Sequence, residues 1–209
     1  MNKIKLSLIG IAIFFSSLIN AQSFQKGSAF LDLGFGFGFY ATQAQINNIP
    51  YTYNDHAASW IVPLSFEYGI GNRIGIGAQL ISDTYISGQD TTKANKNTAH
   101  GNEFALMGNY HFVRTNHIDF YGGITLGVSS LKVMINDYYD TQYFSGGSMV
   151  DIHFNTRFLF GNHFGIILSL RFPTLNYTNG TITNNLGNSV SFDFRGSGWV
   201  FGTGFTFKF

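Results

Sequence analysis

The chain has 209 residues, of which 44% are hydrophobic, 17% aromatic and only 11% charged, with 25 Gly, 23 Phe and no Cys. This is too apolar for disorder, and a formal net charge of +1 without any basic stripe excludes the phosphate-neutralising surface of a nucleic-acid binder. Without cysteine there is no disulfide framework, thiolate zinc site or thiol nucleophile. Abundant Gly and Phe with scarce Lys and Glu favour one all-β domain.

Residues 1–21 read as a secretory signal peptide: Lys3 and Lys5 precede an apolar run from Leu6 to Ile19, and Asn20-Ala21-Gln22 closes it with small or polar residues. The run falls short of the roughly 20 apolar residues of a membrane-spanning helix and is broken by Ser7, Gly10, Ser16 and Ser17. Cleavage after Ala21 removes both lysines and takes the formal charge from +1 to −1. Residues 22–209 are then the mature domain.

The mature chain alternates with period two, the spacing that places apolar residues on one face of a strand. A first strand sets Leu31, Leu33, Phe35, Phe37 and Phe39 against Asp32, Gly34, Gly36 and Gly38. The second sets Trp60, Val62, Leu64, Phe66 and Tyr68 against Pro63, Ser65 and Glu67, and the third sets Ile74, Ile76 and Leu80 against Arg73, Gly75, Gly77 and Gln79. The fourth opposes Phe104, Leu106, Tyr110 and Phe112 to Glu103, Asn109 and His111; the fifth opposes Ile118, Ile124, Leu126 and Val128 to Asp119, Tyr121, Thr125 and Ser129. Strand six opposes Val150, Ile152, Phe154, Phe158 and Phe160 to Asp151, His153, Asn155 and Arg157, and strand seven opposes Phe164, Ile166, Leu168, Leu170 and Phe172 to His163, Ser169 and Arg171. The last carries Trp199, Phe201, Phe205, Phe207 and Phe209.

Eight strands of about ten residues match the length that crosses a bilayer at the usual tilt. Their connectors alternate: short at 69–72, 113–117 and 161–162, long at 41–59, 82–102, 130–147 and 173–189. The expected fold is therefore an all-β, eight-stranded antiparallel up-and-down transmembrane barrel with short periplasmic turns, long outer loops and both termini periplasmic. A soluble barrel would bury its greasy face, and here that face is too continuous and the other too polar. Tyr40, Trp60, Tyr68, Tyr110, Phe112, Phe172 and Trp199 fit two interfacial girdles.

This pattern resembles the small outer-membrane barrels of the OmpA transmembrane domain and OmpX type over the whole mature chain. The segment from Gly198 to Phe209, with Trp199, Phe201, Phe205, Phe207 and a terminal Phe209, is similar to the C-terminal signal of those families. The resemblance implies the barrel-assembly machinery as partner during insertion, and outer-membrane lipid or lipopolysaccharide around the barrel. No peptidoglycan-binding domain follows Phe209, so tethering to the cell wall is not expected.

An eight-stranded lumen is only wide enough for side chains, so an open porin is not expected. Hairpin arithmetic opposes Glu67 to Arg73, His111 to Asp119 and Asp151 to Arg171, which reads as structural neutralisation of buried charge. The other reading of these pairs is an ion- or proton-conducting gate. The inward glycines Gly34, Gly36, Gly75, Gly77, Gly123 and Gly127 either relieve crowding or line a crevice. Ser148, Asp151 and His153 raise the question of a lipid A hydrolase, but the chain lacks the His-x-Ser spacing of the deacylases, so no enzymatic activity, cofactor or metal is expected. Asp90-Thr91-Thr92 resembles the short O-glycosylation acceptor of Bacteroidota, which is the source the sequence suggests. Tyr51, Tyr53, Tyr85, Tyr138, Tyr139, Tyr143, Phe144 and Tyr177 in the long connectors suit recognition of protein or glycan. The expected role is an accessory subunit of a larger outer-membrane complex or a surface-recognition protein; the alternatives are a narrow solute channel and a lipid-modifying hydrolase.

Overall fold

A computed structural model describes residues 23–46, 51–87, 98–135, 141–183 and 189–209. The period-two segments form eight strands: β1 (Ala29–Ile46), β2 (Thr52–Gly69), β3 (Ile74–Ser87), β4 (Thr98–Arg114), β5 (Ile118–Ile135), β6 (Thr141–Phe160), β7 (Phe164–Thr183) and β8 (Ser189–Lys208). Each pairs antiparallel with its sequence neighbours, and β8 pairs with β1 to close the ring. Closure leaves no unpaired sheet edge, the condition for a sheet to cross hydrocarbon.

The greasy face points outward. Leu33, Phe37, Phe66, Leu106, Ile124, Val128, Ile152 and Phe201 are all exposed, whereas Asp32, Glu67, His111, Asp119, Asp151 and Arg157 are buried in the lumen. A water-soluble barrel would have these two sets exchanged. The outward apolar positions form one band, Leu31–Phe39, Trp60–Tyr68, Ile74–Leu80, Phe104–Phe112, Ile118–Val128, Val150–Phe160, Phe164–Phe172 and Trp199–Phe207, about nine residues per strand, as a bilayer crossing requires.

The strands run well beyond that band, to between 14 and 20 residues. Most of the segments expected as long loops are strand: β1 continues to Ile46, β2 begins at Thr52 and β7 reaches Thr183. Outside the bilayer a strand has no greasy face to display, so its periodicity fades while ladder hydrogen bonds still hold the hairpin. Tyr40, Tyr85 and Tyr177 are corrections of the same kind. All three point into the barrel and are buried, so Tyr40 belongs to no girdle and Tyr85 and Tyr177 are no surface for recognition. Trp60, Tyr68, Tyr110, Phe112, Phe172 and Trp199 do face outward, and Tyr51 and Tyr53 are exposed.

The signal-peptide segment, Asp90-Thr91-Thr92, Tyr138 and Tyr139, and the side chains of Tyr143 and Phe144, lie outside the described residues.

Candidate functional site: the lumen

Four layers fill the interior from the short-turn end upward. The lowest is a strap. Gly27, at φ +87°, turns the chain back from the start of β1, and its N–H bonds to the Gly69 carbonyl at 2.8 Å. Across the mouth, the Ser23 N–H bonds to the Thr115 carbonyl at 2.8 Å and the Ser23 hydroxyl donates to the Ile118 carbonyl at 3.2 Å. Thr115 lies in the β4–β5 turn and Ile118 opens β5, on the wall opposite β1, so the strap spans the barrel diameter. It is tied in between by Arg114, whose guanidinium donates to the carbonyls of Phe24 and Asn72. Phe24 is carried inward, where it is fully buried and stacks on the His111 ring with centroids 3.4 Å apart.

Above the strap lies a charge cluster centred on Arg157. Its Nη2 is 2.6 Å from Asp32 Oδ2, and its Nη1 is 2.7 Å from Glu67 Oε2 and 3.3 Å from Asp119 Oδ2. Its guanidinium lies between the Phe30 and Tyr121 rings, 4.2 and 4.4 Å from their centroids. Three carboxylates thus meet the guanidinium while two rings cover it, the planar geometry a guanidinium offers and an ammonium does not. His111 bridges two of the same acids, with Nδ1 at 2.7 Å from Asp119 and Nε2 at 3.0 Å from Glu67. Asn109 completes Glu67 by donating to Oε1 at 2.7 Å. The crowding dictates glycine at position 75, where a Cβ would stand 2.1 Å from Glu67 Oε1.

The third layer holds Asp151, Arg171, His153, Asp83 and Glu103. Arg171 donates to Asp151 Oδ2 from Nε at 2.8 Å, and its Nη2 lies 2.8 Å from the same oxygen. Asp151 Oδ1 accepts the backbone N–H of Phe172 at 3.1 Å. His153 contacts Asn109 Oδ1 at 2.8 Å and Thr125 Oγ1 at 3.2 Å. Tyr85 donates to Asp83 at 2.9 Å. Between the two charged layers is a cavity of about 40 Å³ bordered by Asp32, Ser65, Asn155 and Arg171, room for little more than water. The fourth layer is apolar: Tyr40, Ile61, Ile81, Leu131, Met149, Leu175 and Tyr177 pack together across the lumen.

The three expected pairs fare differently. Glu67 stands across from Gly77, and Arg73 is exposed at the β2–β3 turn, where it donates to the Tyr110 hydroxyl at 3.4 Å; that pairing is overturned. The ladder is centred on Asn72 rather than on Ile70, as the Glu67–Arg73 pairing requires, and this shifts the register. His111 stands across from Tyr121 and Asp119 from Arg114, with an irregularity between His111 and Val113. Asp151 stands across from Pro173 and Arg171 from His153. Both pairs nevertheless meet as diagonal neighbours, within reach of long side chains. Arg157, Asp32, Asp83 and Glu103 belong to none of the expected pairs; Arg157 and Asp32 meet across the lumen, where no hairpin rule applies. Ser148 is on the outer wall, whereas His153 and Asp151 face the lumen, so the three form no triad. Among the described residues no group of three or more His, Asp or Glu is placed to hold a metal ion.

At the C-terminus, Trp199, Phe201, Phe205, Phe207 and Phe209 all face outward. Phe164 packs on Phe205 and Phe207 at 5.7 and 5.5 Å, and the Phe209 N–H bonds to the Ala29 carbonyl at 2.9 Å, fastening β8 to β1.

No protein-family model matches the chain, and no curated protein sequence matches it. Among solved structures it is similar to the outer membrane protein OprG from Pseudomonas aeruginosa, at 16% identity and a TM-score of 0.62, over 91% of this chain and 99% of that one. It is also similar to the outer membrane protease OmpT from Escherichia coli, at 10% identity and a TM-score of 0.51, over 87% of this chain and 97% of that one. The shared feature is the fold, the closed up-and-down barrel of outer-membrane proteins. Neither neighbour supports a Bacteroidota source.

Proposed function

We propose that this protein is an integral outer-membrane barrel acting as a structural or binding component, an accessory subunit or surface-recognition protein rather than a porin, with short turns and both termini in the periplasm after leader removal. One observation carries the reading: the interior is filled by the strap, two ion clusters and the apolar layer, and the cavity bordered by Asp32, Ser65, Asn155 and Arg171 is about 40 Å³. A lumen so occupied serves stability, which leaves recognition to the outer wall and to the strand extensions beyond the bilayer, where Tyr51 and Tyr53 are exposed. Lipid or lipopolysaccharide surrounds the barrel, and the barrel-assembly machinery reads the final aromatic strand. Crosslinking and mild-detergent pulldown from native membranes test the role. Defined stoichiometric partners support it, and recovery as a lone barrel under both conditions refutes the subunit form. Unitary conductance in planar bilayers, altered by removal of Asp151 or Arg171, would replace it with the narrow-channel reading.

A further inference from the structure

Just beyond the apolar band the outer wall changes chemistry, and it does so with one sign. The first two outward positions past the band on all eight strands contain no carboxylate, yet include Lys132, Arg195, His56 and His100. Six of the described acids, Asp32, Glu67, Asp83, Glu103, Asp119 and Asp151, are buried in the lumen, and the other two, Asp55 and Asp193, lie farther along the strand extensions. On β3, β4 and β5 the donors converge. Thr84 stands across from His100 and His100 from Lys132, forming one outward row. Ser82, Asn102 and Ser130 form the row beneath it, next to the exposed Leu80, Phe104 and Val128 of the band. Thr84 Oγ1 lies 3.3 Å from His100 Nδ1 within the upper row, and the Ser130 hydroxyl donates to the Asn102 carbonyl at 3.3 Å within the lower one.

We infer that Thr84, His100 and Lys132 form a binding site for the phosphate of an anionic lipid headgroup, whose acyl chains lie over Leu80, Phe104 and Val128. The position supplies the argument. A cation and hydrogen-bond donors at the hydrocarbon boundary, with apolar side chains directly below, match a phosphate attached to acyl chains better than they match a free solute. Close to the interface such a cation is attracted by anionic lipid, and among the described residues no carboxylate stands in either outward row to oppose it. The inference deepens the proposed function and rests on its membrane location.

The test uses the refolded chain carrying Trp60→Phe and Trp199→Phe, which removes both tryptophans, with Phe104→Trp as a reporter under the site. In vesicles of phosphatidylcholine, brominated phosphatidic acid and brominated phosphatidylcholine are compared as quenchers at equal mole fraction and low salt. The expected result is at least threefold preference for the phosphatidic acid, reduced toward parity by His100→Gln with Lys132→Gln and reversed by Lys132→Glu. Equal quenching by both lipids, or a preference unmoved by those substitutions, overturns the site. Quenching by neither lipid overturns the membrane location itself.

Discussion

Arg157→Met removes the one cation that three buried carboxylates share while keeping much of the side-chain volume. Asp32, Glu67 and Asp119 lie 2.6, 2.7 and 3.3 Å from the guanidinium, and all are buried. Breaking a buried pair by removing one partner costs about 3–5 kcal/mol, because the remaining charge is left uncompensated. Loss of the stacking on Phe30 and Tyr121 acts in the same direction, at about 0.5–2 kcal/mol per ring contact. The expected loss is therefore at least about 3 kcal/mol, more than a hundredfold in the folding equilibrium. Urea titration of reversible folding into vesicles measures it, with Trp60 and Trp199, both lipid-facing, reporting insertion. Acidification should narrow the gap, since protonated carboxyls no longer need a counter-cation. Adding Asp32→Asn should recover part of the loss, as removal of one surplus charge relieves the others. A loss below 1 kcal/mol, or a double variant weaker than the single one, would refute the claim that Arg157 organises the lumen.

Further outcomes follow from the layers. Phe24→Ala frees the strap, so amide exchange at Ser23 and Gly27 should quicken at least tenfold while exchange in the central strands changes little; equal acceleration throughout would show that the strap is not a separate unit. Leu106→Arg places a charge on the outer wall within the band and should cost about 2–4 kcal/mol of insertion free energy, whereas Ser130→Arg, beyond the band, should cost about 1 or less. The same urea titration reads both. His153→Ala should leave the membrane's lipid A acylation unchanged by mass spectrometry, and altered acylation would favour the hydrolase reading.

The fold was legible because hydrocarbon imposes a strict alternation: Leu31 to Phe39 and Trp199 to Phe207 declare the outward face residue by residue. Where the bilayer ends the signal ends too, which is why Gln43, Asn54 and Thr181 read as loop although they lie in strands. The lumen was only partly legible. His111–Asp119 and Asp151–Arg171 lie on adjacent strands, so a hairpin rule brings them near, and diagonal reach absorbs the error in register. Arg157 and Asp32 are 125 residues apart and meet across the barrel, a contact set by ring closure and side-chain length. The apolar upper layer was hidden because Ile61 and Val200 sit inside continuous apolar runs, Trp60-Ile61-Val62 and Trp199-Val200-Phe201, where both faces are greasy and alternation carries no sign. Phe24 offered no periodicity, and its role appears only once the chain turns at Gly27.

The placement of the greasy face against lipid is tested most directly by single-cysteine spin labels, which the cysteine-free chain accepts cleanly. Labels at Ile76, Leu106, Ile124 and Val150 of the band, and at Gln43, Asn54 and Ser197 beyond it, are compared in vesicles for collision with oxygen and with a water-soluble nickel chelate. The account predicts high oxygen and low nickel accessibility at the four band positions and the reverse at the other three. Band positions shielded from both reagents, as in a soluble protein's interior, would contradict it.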